Sequence, residues 1–87
     1  MIDNFRILDL LTPRDQDVLS LMVLGMTNEE IADALGLKIS SIRVRVFRVM
    51  EAFPVNGRVR VVLLCLRDEH INAKLQAIRR KLKEARP

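Results

Sequence analysis

Cysteine and histidine occur once each, at Cys65 and His70. A single cysteine cannot close an internal disulfide, and no group of Cys, His, Asp or Glu has the spacing of a metal site. No carboxylates are paired in a catalytic arrangement, and the three glycines form no phosphate-cradling loop. An enzyme is therefore not expected, nor a cofactor or metal. Long apolar runs are missing as well: the longest, Val61 to Leu66, falls far short of the ~18–20 residues that span a bilayer. The start, MIDNFRILDLL, carries Asp3 and Asp9 where a signal peptide would be basic. These absences point to a cytoplasmic protein without membrane association. In that reducing compartment Cys65, inside VVLLCL, reads as a small buried hydrophobe. The 87 residues allow one small domain, near the lower size at which a single core suffices without a covalent staple.

What the chain does have is charge, unevenly placed. Residues 1–37 hold two bases against seven acids, a net −5, and residues 38–87 hold thirteen bases against four acids, a net +9, which together make the +4 of the whole. Such segregation is the electrostatic footprint of a chain that meets a polyanion, usually nucleic acid. It also suits a solvated surface whose two halves attract each other.

The stretch from Thr27 to Phe53 predicts two helices joined by a tight turn. Thr27 followed by Glu30 is a capping box, each side chain bonding the other residue's amide, with Met26 and Ile31 placed as a hydrophobic staple. Ile31, Ala32 and Leu35 give this helix one apolar side, and Gly36 stops it. A second helix begins at about Ser40. At 100° per residue Ile42, Val46, Val49 and Phe53 fall together with Met50 beside them, which makes them the buried face. The opposite side carries Ser40, Ser41, Val44, Phe47, Arg48 and Glu51, with Arg43 and Arg45 on the flanks. A short capped helix, a glycine turn and a basic second helix describe a helix-turn-helix, whose second helix can lie in the DNA major groove. The same spacing fits an ordinary corner of two helices with a solvated basic face.

Upstream, Phe5, Ile7, Leu8, Leu10 and Leu11 form an apolar lead-in over the core. Thr12 predicts an N-cap, Pro13 suits the first helical position, and Asp15 and Asp17 favour the positive end of the helix dipole. Val18, Leu19, Met22 and Val23 supply the buried side, and Gly25 ends the helix.

The segment LTPRDQDVLSLMVLGMTNEEIADALGLKISSIRVRVFRVMEAF, followed by VNGR, resembles the LuxR-type (GerE-type) DNA-binding domain of bacterial transcription factors over roughly residues 10 to 66. Region 4 of sigma factors is a related pattern with similar first three helices. The resemblance implies that Arg43, Val44 and Arg45 reach base edges and nearby phosphates. It places Asn28 near phosphate, sets Arg58 at the opening of a fourth helix, and makes that helix the dimer contact. Lys38 stands where the family usually has a serine or threonine cap, so the recognition helix is expected to start without a side-chain acceptor. Phe47 replaces a commonly polar or basic residue; it suits a thymine methyl or a protein contact.

Pro54 stops the recognition helix, and Asn56-Gly57 makes a turn. RVRVVLLCLRDEH then holds Val59, Val62, Leu63 and Leu66 at helical spacing, although its β-branched residues also suit a strand; a helix is the reading adopted. Arg58 to Arg86 contains neither glycine nor proline, so this helix either runs on or breaks near Asp68 to Asn72. In the tail Ile71, Leu75, Ile78, Leu82 and Ala85 make a seam of about two heptads. A parallel self-pair would oppose Lys74 and Lys81 to Arg79 and Arg86. The seam is therefore expected to pack on its own domain, to pair antiparallel, or to meet an acidic partner such as the chain's own first half.

The expectation is an all-α, four- to five-helix helix-turn-helix domain over residues 1–66, with a basic amphipathic helical extension over 67–87. It binds duplex DNA as a homodimer and regulates transcription. The DNA-contacting set is Asn28, Lys38, Ser40, Ser41, Arg43, Val44, Arg45, Phe47, Arg48 and Arg58. The dimer or partner surface is Val59, Val62, Leu63 and Leu66 on the fourth helix, and Ile71, Leu75, Ile78 and Leu82 on the tail. The alternative is an adaptor of the same fold that binds a transcription factor or RNA polymerase through Val44, Phe47 and the tail stripe.

Overall fold

The computed structural model describes residues 4–85, with side chains from residue 6 onward. Asp3 and Arg86 lie outside the described residues, as does the side chain of Phe5. Every regular element described is helical: a 3-10 segment Asn4–Leu10, then α1 Pro13–Met22, α2 Asn28–Leu35, α3 Ile39–Ala52, α4 Arg58–Arg67 and α5 Glu69–Glu84. The β-branched run after Arg58 is helix α4, because burial of one apolar side decides where propensity is equivocal.

Side chains mark most of the helix starts. Thr12 Oγ1 accepts the Asp15 amide at 3.1 Å, with Pro13 at the first helical position. At α2, Thr27 Oγ1 accepts the Glu30 amide and Glu30 Oε1 accepts the Thr27 amide at 2.9 Å, completing the capping box. The backbone and side-chain bonds from Thr27, in that order, hold the Glu30 carboxyl below its ordinary range. Gly36 closes α2 in the left-handed region, φ 66°, a conformation that costs other residues energy. Lys38 precedes α3 with no side-chain cap bond, as its chemistry predicts.

The tail breaks at Asp68, which ends α4 and starts α5. Its Oδ1 accepts the Ile71 amide at 3.0 Å. No glycine or proline is needed, since an aspartate at the N-cap supplies the acceptor that lets a new helix begin.

The core is organised around α1, on which α3 and α5 pack most heavily. Val18, Leu19 and Met22 of α1 meet Ile31 of α2, Ile42 and Val49 of α3, Val61 and Cys65 of α4, and Ile71 and Leu75 of α5, all essentially without exposure. Ile7, Leu8 and Leu11 cover one end, while Leu10 points outward. Gln16 Nε2 ties that lead-in down, donating to the Leu8 and Leu11 carbonyls at 2.8 and 3.2 Å. Burial pushes the Cys65 thiol up to about 12, with the Asp68 charge adding to the effect, so the group behaves as a hydrophobe.

The tail seam requires a correction. Ile71 and Leu75 are 1% and 0% exposed within the single chain, which removes both from the candidate partner surface. The break at Asp68 lets α5 lie on α1, where its stripe finds the apolar surface that a seam needs. Ile78 and Leu82 are half-buried against the same core. Arg79 Nη1 donates to the carbonyl of fully buried Ser20 at 2.9 Å, so a base expected to repel its own kind is engaged inside the fold.

Candidate nucleic-acid interface

The outward side of α3 has the composition that its helical phase predicts. Ser40, Ser41, Arg43, Val44, Phe47 and Arg48 are exposed, whereas Ile42, Val49 and Phe53 are buried and Val46 and Met50 half-buried. Val44 and Phe47 keep 52% and 66% of their surface in solvent, a large apolar contribution from a helix otherwise dressed in arginine and serine. Because α3 starts without a side-chain cap, its first amides stay available to an anion beside exposed Lys38.

The arginines divide into different roles. Arg43 makes no ion pair or hydrogen bond among the described residues, and its side chain is exposed. Arg45 is turned toward α1: its Nη1 donates to Asp15 Oδ1 at 3.0 Å, with the Asp15 side chain only 3% exposed. Arg48 reaches the same carboxylate oxygen at 4.0 Å and stays more than half exposed. A carboxylate expected only to favour the helix dipole is thus the anchor that fixes α3 on α1. Charge pattern along one helix gives no sign of it, because the partner lies thirty residues away.

Arg58 also has internal partners. Its Nη1 donates to Asn28 Oδ1 at 2.6 Å and its Nη2 to the Met26 carbonyl at 2.9 Å, which ties the start of α4 to the turn before α2. Two residues proposed separately as contacts are thereby joined. Asn28, Arg43 and Arg58 line one shallow depression with Gly25, Met26, Thr27 and Glu29. Asn28, Arg43 and Phe47 line a neighbouring one with Val55, Asn56 and Gly57. Lys38, Ser40, Ser41, Arg45 and Arg48 line neither. The Asn56-Gly57 turn was legible only as a turn; its proximity to Phe47 follows from Pro54 ending α3 and Arg58 anchoring α4.

On α4, Val61 and Cys65 face the core and Val59, Leu63 and Leu66 face outward, with Val62 half-buried between them. The outward residues form an apolar strip that no other described residue covers. No helix among the described residues is long and apolar enough to cross a membrane.

Comparison with known proteins identifies the family of the domain. The family model for Sigma-70, region 4 matches residues 5–53, from the lead-in to the end of α3. The transcriptional activator protein TraR of Rhizobium radiobacter is 35% identical over 61 residues, which are 70% of this chain and 26% of TraR. The chain therefore spans about a quarter of that protein's length. No solved structure matches significantly. A capped α2, a glycine turn and a basic α3 held across α1, inside a match that covers more than half of the sequence, show that the chain belongs to the sigma-70 region 4 family of helix-turn-helix domains.

Proposed function

We propose that this protein is a duplex-DNA-binding transcription regulator that inserts α3 in the major groove. The observation that carries the reading is the exposed side of α3, where Arg43, without a partner among the described residues, stands between Ser40 and Phe47. A flat array of small polar, basic and apolar groups on one rigid helix suits base edges: arginine for guanine, and an apolar group for the thymine methyl. Arg43, Val44 and Phe47 are assigned to bases. Lys38, Ser40, Ser41 and Arg48 are assigned to the flanking phosphates, with the uncapped amides of α3 assisting. Arg45, Asn28 and Arg58 act chiefly by holding the helices at the angle that docking requires, and offer phosphate contacts from their exposed edges.

One helix-turn-helix makes few contacts, and two-fold dimers on repeated half-sites are the usual remedy. The outward strip Val59, Leu63 and Leu66 is the proposed dimer surface, with Val62 at its margin. The membership in a family of transcription proteins and the likeness to a transcriptional activator support this reading. The test is fluorescence anisotropy with labelled genomic fragments across a salt series. Binding is expected to fall linearly in log Kd against log salt, with a slope that reports the number of phosphates neutralised.

The exposure of Val44 and Phe47 favours a second reading, in which the same face of α3 binds a transcription factor or RNA polymerase. Absence of salt-dependent binding to any duplex would transfer the function to that adaptor role.

A further inference from the structure

A second surface stands apart from α3 and from the α4 strip. One side of α1 with the turn after it, the end of α2 and the second half of α5 line a groove of about 1040 Å³. Its floor is apolar, built from Leu21, Leu24, Leu35 and Leu82. Leu24 is 59% exposed and lies beside the other leucines of the floor, so the apolar surface is contiguous rather than a single exposed side chain. The rim is basic: Arg14, Arg79, Arg80 and Lys83 line it against one acid, Asp33. Arg14 and Arg79 are held by Asp17 and by the Ser20 carbonyl, whereas Arg80 and Lys83 have no partner among the described residues.

We infer that this groove docks an acidic amphipathic helix of a partner protein. Leucines in the floor and bases along the rim complement a helix with an apolar stripe at i, i+3, i+4 and i+7 flanked by glutamate or aspartate. Nucleic acid fits the rim but not a leucine floor. A small ligand fits poorly too, because neither of the buried polar side chains, Asp15 and Ser20, lines the groove to orient one. The groove exists because α5 lies on α1, and it leaves α3 open, so its occupation is compatible with the DNA reading and stands whether or not that reading does.

The probe is a synthetic, fluorescein-labelled peptide of about 18 residues, roughly five helical turns, with leucines at that spacing and glutamates elsewhere. Its control carries lysine for every glutamate. Anisotropy with the full chain is expected to show saturable binding of the acidic peptide, weakening with salt, and about tenfold or more weaker binding of the lysine peptide. Leu24→Asp and Lys83→Glu each change an exposed residue and are expected to leave the circular dichroism unaltered while weakening binding of the acidic peptide about tenfold. Affinity of both variants for duplex fragments stays that of the wild type. No binding of the acidic peptide, equal binding of both peptides, or insensitivity to both substitutions overturns the proposal. A fall from dimer to monomer in Leu24→Asp by light scattering also overturns it, assigning the groove to a second copy of the chain.

Discussion

Arg45 and Asp15 are thirty residues apart in sequence and 3.0 Å apart in the fold, the guanidinium of α3 donating to a carboxylate buried at the start of α1. The bond ties α3 to α1 alongside the core packing of Ile42 and Val49, which turns the opposite side of the helix outward. It also divides the bases of α3: a side chain spent on a buried carboxylate is constrained in what it can offer a ligand, whereas Arg43, two residues earlier and on the other flank of the helix, is exposed and makes no bond among the described residues.

Arg45→Ala is expected to destabilise the fold by about 1–3 kcal/mol, since Asp15 is left buried with only Arg48 at 4.0 Å. The figure is set below that for a fully buried pair because Arg45 keeps 27% of its side-chain surface in solvent. Arg43→Ala should stay within about 0.5 kcal/mol of the wild type. Urea denaturation of the two variants measures the difference, and equal losses would contradict the division of roles.

The valines of α3 separate packing from display. Val49, fully buried, should cost about 1–3 kcal/mol on truncation to alanine because it leaves a cavity; Val46, half-buried, should cost less. Val44→Ala should barely change the melting temperature. A Val44 loss as large as that of Val49 would mean that the exposed side of α3 is covered in solution.

Acid should act on α2 through Glu30, whose carboxyl is held below its ordinary value of 4.5 by the amide and hydroxyl of Thr27. A carboxyl depressed in the folded state stabilises it above the unfolded value, and the contribution is lost as pH falls through the folded one. Stability of the wild type should therefore decline below 4.5 more steeply than that of Glu30→Gln, which keeps the capping geometry without the charge. Chemical denaturation at a series of acidic pH values gives the comparison; parallel curves would remove Glu30 from the acid response.

Removal of residues 73–87 should unfold the domain, since it deletes fully buried Leu75 and the Arg79 bond to Ser20. Loss of helical circular dichroism is the expected result, and retention of a cooperative melt would make α5 an appendage after all. The dimer is better probed at exposed Leu63: Leu63→Asp should leave the melt intact and lower the mass seen by light scattering if the α4 strip pairs two copies.

Local chemistry determined the helix punctuation from the sequence alone. Thr12 with Pro13, Thr27 with Glu30, Gly36, and Pro54 after Phe53 each act within three or four residues, through hydrogen bonds or backbone angles that need no tertiary partner. The phase of α3 was equally legible, because a helical period reports its buried side wherever the core lies. Interactions between elements were not. Asp15 as the anchor of Arg45, Arg58 as the clasp on Asn28, and the groove above Leu24 each join residues that are distant in the chain. The tail shows the boundary most clearly: its heptad seam declared that Ile71 and Leu75 must be covered, but a stripe does not name its cover. The N-cap at Asp68 broke the helix, α5 came to rest on α1, and the three-dimensional fold chose the chain itself as the partner.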